Sequence, residues 1–460
     1  MNILVLHGLG EDFLERARGT SIIHLLSFQR HRGEHNYYLQ DVQKAVSRAL
    51  RDFPFDVVLI DGTFLCWRWV RPRFLLDQLR DSYAWLGSHP AVKIAFPQDD
   101  YDHSRILDAW LSELRVDYVY SVCREHHEVL YPLMSARPDS IGTALTGYVD
   151  DVIADRMQAM GRPPIASRPI DVGYRARDLP AYFGSFGRLK AEIGRIFSER
   201  ASGSALNLDI SCDSNDALIG ERWTDFLLDS KCSLGCSSGS SVLDEFGDIR
   251  DAVETYVAAH PTATFEEIEA HAFPGLDNRY LFDAVSPRLF EAAVFGSCQI
   301  LLEGAYLPGI HAGEHYVELK RDFSNLHDVL GVVRDPRAAQ TIADACFEAL
   351  IVPTRYRYSQ RVAEVFERIS KIRASRGLRD NAQATSNIKF HRMAAQHERA
   401  LERLDPLYSE QARLERELAT LQIQSPWRRC YRPAQAWLNL VGVRANIRRL
   451  GFPGQPPRRG

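Results

Sequence analysis

A chain of 460 residues, 45% apolar and 25% charged, has the composition of an ordinary globular protein and length enough for two or three full cores. No run of about 18 uncharged apolar residues occurs, which excludes a bilayer-crossing helix from this sequence. The net charge of −4 hides an asymmetry: residues 371–460 hold 18 Lys/Arg against 7 Asp/Glu, so a basic end follows an acidic body.

The opening MNILVLHGLG reads as a strand and a glycine turn and not as a signal peptide. Eight scattered cysteines form no disulfide framework at this size, so a cytoplasmic location is expected. Cys232 and Cys236 have no second pair, and no metal site is expected from them.

Short apolar runs at Asn2–Leu6, Asp56–Ile60, Val92–Phe96 and Asp117–Ser121 read as strands. Helical patterns near 38–52, 74–86, 103–115 and 125–132 separate them. Such alternation implies parallel β-α units with ligand loops at the strand C-termini. The stretch MGRPPIASRP marks a boundary, after which Ile170–Tyr174 starts a second unit. Helices are expected there at 186–200, 221–229, 248–259, 286–295, 324–332 and 337–350, with strands at 206–211, 298–302 and 315–319. The fold expected is α/β, with two Rossmann-like domains (1–165 and 168–370) facing a cleft. A helical, basic, aromatic-containing tail spans 371–460. Its last part, 425–460, has eight Arg, no acid, and interleaved Trp427, Tyr431 and Trp437, a pattern for an anionic membrane surface or equally for a disordered tail or a helix docked on the acidic body.

Four stretches carry possible chemistry. GCSSG (235–239) has the G-x-S-x-G form, but its polar flanks read as a loop rather than the strand-turn-helix of a nucleophile elbow. QDDYDH places Asp99 and Asp100 after a strand, where general-base duty or acceptor contact is open. Asp100 and Asp102 also form a D-x-D pair able to hold a divalent ion, although a helix cap is the plainer reading. In SPRLFE, Ser286 can cap a helix, Arg288 is a cation at its start, and Glu291 lies one turn on. Cap and cation together suit a diphosphate, although a surface Arg288–Glu291 salt bridge is the plainer reading. GIHAGEHYVELKRDFSN crowds His315, Lys320, Asp322 and Asn325 into loops around a strand, either a phosphate- or ribose-facing loop or a polar turn. His7, after the first strand, is a further cleft candidate or a turn residue.

DVGYRARDLPAYFGSFGRLKAEIGRIF, SPRLFEAAVFGSCQILLEG and HYVELKRDFSNLHDVLGVVRDP resemble the bacterial glycosyltransferase-like proteins related to the spore maturation protein CgeB, which are of GT-B type. The resemblance covers roughly residues 168–368. It implies transfer of a sugar from a nucleotide-sugar donor to a saccharide or lipid-linked hydroxyl acceptor, with no cofactor, in cell-surface polysaccharide or glycolipid synthesis. The implied donor residues are Gly173, Tyr174, Arg175, Ser286, Arg288, Glu291, His315, Lys320, Asp322 and Asn325. Glu291 is also a catalytic candidate, beside His7, Asp99 and Asp100. One departure stands out: Gln299 occupies the place where many retaining GT-B enzymes carry a second glutamate, so retaining stereochemistry is not implied. A non-catalytic nucleotide-sugar binder on the same fold is the alternative. No nucleic-acid partner is expected, and the place of work is the cytoplasm or the inner face of its membrane.

Overall fold

The structure, a computed structural model, describes residues 1–10, 19–218 and 220–379. Two parallel sheets organise it. The first runs β2 (Asn36–Asp41), β1 (Asn2–His7), β3 (Val57–Ile60), β4 (Val92–Ala95), β5 (Tyr118–Ser121) and β6 (Ile141–Thr143) in spatial order. The second runs β13 (Val317–Leu319), β12 (Cys298–Leu302), β9 (Ser230–Gly235), β7 (Ile170–Arg175) and β8 (Leu208–Ser211). All neighbours in both sheets are parallel. The strands β1, β3, β4, β5 and β12 are buried along their whole length, as covering both faces with helices demands. An antiparallel pair, β10 (Ser238–Ser240) with β11 (Phe282–Ala284), forms a separate two-stranded sheet whose Phe282 packs into the core of the first domain. The mixed α/β, two-sheet architecture is the one expected.

Three local expectations fail for physical reasons. The helix expected over 38–52 begins as the end of the edge strand β2, continues as a turn, and is helical only at Arg48–Arg51. Tyr37 and Tyr38 enter separate apolar clusters on opposite faces of the sheet, a split that only a strand's two-residue period allows. The helix expected at 125–132 is two turns, His127–Leu130 and Pro132–Ser135, because Pro132 offers no N–H to continue the first. The polar stretch around Cys232 is β9, the centre of the second sheet. Ser230 donates its hydroxyl to Phe226 O at 2.7 Å, which satisfies the polarity that suggested a loop. A strand therefore does enter GCSSG. What leaves it is β10 and not a helix, so the elbow is still missing its second half.

The helix Tyr358–Ser375 returns to the first domain. Val362, Val365, Phe366 and Ile369 pack with Ile3 and Val5 of β1, and Arg373 and Arg376 pair with Asp56 and Asp117. The boundary expected at 370/371 thus falls inside one helix, and that helix belongs by packing to the first sheet. The tail from 380 onward, including 425–460, lies outside the described residues. Among the described residues no helix is long and apolar enough to cross a membrane, and all seven cysteines there are free.

Candidate functional site

The C-terminal edges of the two sheets face each other across a cleft of about 810 Å³. This is where parallel sheets place ligands. Interdomain bonds hold it. Arg124, beyond β5, donates to Ala305 O at 2.9 Å and Tyr306 O at 2.8 Å and pairs with Asp283. Asp102 and Asp244 pair through their backbones as an isolated parallel bridge.

The second domain supplies most of the wall. Gly173, Tyr174 and Arg175 end β7 there, with Ser286, Arg288 and Leu289 beside them. Gly173 is required by packing: a Cβ would sit 2.2 Å from Ser230 Oγ and 2.8 Å from the Phe226 ring. The Arg175 guanidinium is already committed, donating to Asp209 Oδ1 at 2.7 Å and Asp209 O at 2.9 Å and lying 4.5 Å over Phe226. Arg288 is not neutralised in this way. Its guanidinium donates to the Arg175 carbonyl, lies 5.3 Å over the Trp223 ring, and pairs with no carboxylate among the described residues.

The helix Arg288–Val294 begins without Ser286 as its cap. Pro287 occupies the N-cap position and no side chain caps the turn, so that expectation is corrected. Glu291 lies outside the cleft wall. It accepts the Trp223 indole N–H at 2.9 Å, and so holds the ring on which Arg288 rests. Gln299 is buried and gives its amide to Leu289 O at 3.0 Å, closing the floor.

Sequence reasoning missed Lys190. It lies on the helix Gly184–Ala201, faces the cleft, and its ammonium has no hydrogen-bond or ion-pair partner among the described residues. Burial lowers its ammonium from the ordinary lysine value, Arg288 adding to this and Cys236 and Asp99 opposing it. Tyr174 donates its hydroxyl to Lys190 O at 2.9 Å and thereby anchors the turn that carries it. In the sequence Lys190 is one more lysine of an amphipathic helix. Only the glycines at 184 and 187, which let that helix approach Phe183 and Ser241, hint at a special environment.

From the first domain, Asp99 and Tyr101 reach the cleft. Asp99 sits at φ 48°, and Tyr101 donates its hydroxyl to Asp99 Oδ1 at 2.6 Å. Arg68, fully buried, holds this loop by donating to the carbonyls of Gln98 and Asp99 at 2.8 Å and of Asp102 at 2.9 Å.

Asp100 does not reach the cleft. It is buried, accepts the Ser121 hydroxyl at 2.5 Å, and burial pushes its carboxyl above the usual range. The D-x-D pair does not converge either: Asp102 turns to His103 Nδ1 at 2.6 Å and Arg250 at 3.0 Å. Asp102, His103 and Asp244 do offer ligand atoms within 4.8 Å of one another. Arg250 already occupies Asp102, however, and the Asp244 oxygens accept N–H groups of Gly247 and Arg250 at 2.7 and 2.9 Å.

His7 is buried at the end of β1, accepts Leu9 N–H on Nδ1 at 3.3 Å, and lies off the cleft wall. Burial lowers its pKa, with Asp41 and Asp61 opposing. The 309–325 cluster is likewise absent from the wall. His315 accepts His311 N–H at 3.0 Å, Asp322 accepts Ser324 N–H at 2.9 Å, and Asn325 bridges Lys320 N–H and Glu318 O. Those bonds close polar turns on themselves.

No family model matches the chain, and no curated protein matches it. Solved structures show likeness at low identity. The Anabaena HepE protein in complex with UDP and glucose is 11% identical with a TM-score of 0.41, covering 81% of this chain and 100% of that one. Sucrose-phosphate synthase from Thermosynechococcus elongatus is 11% identical with a TM-score of 0.43, covering 82% and 100%. A glycosyltransferase from Rickettsia africae is 10% identical with a TM-score of 0.43, covering 81% and 98%.

Proposed function

We propose that the chain is a GT-B type glycosyltransferase that moves a sugar from a nucleotide diphosphate donor to a hydroxyl acceptor without a metal ion. The observation that carries this reading is the pair of uncompensated cations, Lys190 and Arg288, on one wall of the interdomain cleft, with the carboxylate of Asp99 entering from the other domain. Breaking the anomeric bond gathers charge on the leaving diphosphate, and preplaced cations at that spot stabilise it more in the transition state than in the ground state. Asp99 is then the group in place to take the acceptor proton. Glu291, the family glutamate by resemblance, acts here through Trp223 and is a positioning residue.

The acceptor class, a saccharide or lipid-linked intermediate of the cell surface, and attachment of residues 425–460 to the inner membrane face belong to the same proposal. A thermal-shift screen against UDP-, GDP-, ADP-, CMP- and dTDP-sugars, followed by transfer assays with and without EDTA, tests it. One donor should raise the melting temperature, and transfer should survive EDTA. No shift with any donor, or turnover abolished by EDTA, refutes it. Gln299 favours a second reading, a nucleotide-sugar binder without turnover, which donor binding with no transfer to any acceptor pool would establish.

A further inference from the structure

Residues 241–281 leave the second domain after β10, form the helices Asp248–Ala259 and Phe265–Ala272, and return at β11. Val242, Val253, Ile268 and Phe273 give this hairpin a small apolar core, shared with Tyr182 and Phe183. Its two ends cap helices on opposite sides of the cleft. The helix Ser104–Glu113, which follows the Asp99 loop, has no side-chain cap of its own at His103. The hairpin takes its first N–H groups instead: Ser104 N–H donates to Asp244 O at 3.1 Å and Arg105 N–H to Glu245 O at 2.9 Å. The helix Gly184–Ala201, which carries Lys190, likewise has no side-chain cap at Phe183. There Ser185 N–H donates to Asp277 Oδ1 at 3.2 Å and Phe186 N–H to Ser241 Oγ at 3.0 Å. The Ser241 hydroxyl joins the two by donating to Asp277 Oδ1 at 2.6 Å. A helix start has no partners of its own for these N–H groups, so moving the hairpin away from either domain undoes a cap.

Ion pairs hold the hairpin to the first domain. Arg71 meets Asp251 at 2.6 Å, Arg73 meets Asp248 at 3.3 Å and Arg105 meets Glu245 at 2.7 Å. Those pairs are solvated and individually weak. The pair of Arg250 with Asp102, at 3.0 Å, is different because Asp102 is buried. Arg250 N–H also donates to Asp244 Oδ2 at 2.9 Å, and Asp244 N–H to Tyr101 O at 2.9 Å. Asp102 N–H returns to Asp99 O at 3.0 Å. The Asp99 loop is therefore gripped by Arg68 from its own domain and by the hairpin from the other. The Tyr101 ring, whose hydroxyl holds Asp99, packs on Phe183 at 6.0 Å and on Phe282 at 5.8 Å, one just before the Lys190 helix and one in β11.

We propose that residues 241–281 are an interdomain strap that sets Asp99 at a fixed spacing from Lys190 and Arg288, with Arg250 as a positioning residue. The effect on turnover rests on the reading of Asp99 as the acceptor base; the strap itself does not. Hydrogen exchange and kinetics on the full chain test it. In Arg250→Ala, exchange at the start of the helix Ser104–Glu113 should quicken at least tenfold, while the helix Pro336–Leu350 exchanges as in wild type. The kcat should fall at least tenfold with donor Kd kept within twofold, and Arg250→Lys should recover part of both losses. Unchanged exchange at Ser104 and Arg105, exchange quickened equally throughout the chain, or kcat and donor affinity falling together overturns the proposal. Where Arg250→Ala does not fold, Arg71→Glu with Arg73→Glu should quicken the same exchange, and adding Asp248→Arg with Asp251→Arg should slow it again. No quickening, or no return, overturns the proposal as well. If no nucleotide-sugar is turned over, the base reading falls and the exchange result decides the strap by itself.

Discussion

Replacing Lys190 by alanine separates binding from stability, because the two should move in opposite directions. The ammonium has no partner in the cleft wall, and burial with Arg288 nearby already disfavours its charge. Removing it therefore takes away an electrostatic cost in the unliganded protein. With a donor diphosphate bound, the same group becomes a charge-assisted donor. Losing such a hydrogen bond costs about 1.5–3 kcal/mol, roughly 10- to 150-fold in Kd. Two unit charges 4 Å apart at an effective dielectric of 20 interact by about 4 kcal/mol, so the figure is within what the site can supply, with Arg288 keeping the remainder. The pH dependence has a definite sign. The folded value lies below the unfolded one, so the unfolded chain binds more protons between them, and unliganded stability rises with pH through that window. Donor binding needs the protonated form and falls as pH rises through the lowered value. Titration calorimetry of wild type and Lys190→Ala at several pH values, beside thermal melts, reads all three effects. An unchanged donor Kd in the variant, or a clear loss of unliganded stability, would refute the reasoning.

Asp99→Asn should cut turnover by about 10²- to 10⁴-fold, the usual worth of a general base, with donor affinity kept; steady-state kinetics with a saturating acceptor check it. Asp100→Asn should leave turnover intact and hold or raise stability at neutral pH. Burial raises the folded carboxyl above its unfolded value, so that ionising it costs stability as pH climbs through the interval, and asparagine can still accept the Ser121 hydroxyl. Denaturant melts at two pH values read this. Arg68→Gln should lose about 3 kcal/mol or more in denaturant melts, because the carbonyls of three loop residues lose a charged, fully buried donor. Its kcat should fall more than its donor KM rises, since the loop carries Asp99 and not the donor cations.

Much of the fold was legible in one dimension because parallel strands buried on both faces read as near-continuous apolar runs, and β1, β3, β4, β5 and β12 are written that way apart from Lys93, Gln299 and polar strand ends. The segment Ser286–Leu302 was legible for the same reason: a short apolar helix, a glycine and a buried strand. By contrast, β9 passed for a loop, because Ser230 finds its hydrogen-bond partner only after the fold exists. The end of β2 passed for the start of a helix, because its two tyrosines favour either structure until two cores compete for them. The candidate site was legible in part. Arg288 and Asp99 stand at strand ends and helix starts, places where the topology alone directs a side chain to a crevice. Glu291 and Asp100 stand at equally promising positions, but the rotation of one helix turn or one loop residue gave them to Trp223 and Ser121 instead. Nothing local distinguishes Lys190 from other cations, for what sets it apart is the absence of a counter-ion among the described residues. The sequence alone determined the strands β1, β3, β4, β5, β7, β8, β12 and β13 and where their C-terminal ends lie. Only the tertiary structure decided which charges on those edges are already neutralised, because pairing is a property of residues scores of positions apart brought within 3 Å by packing.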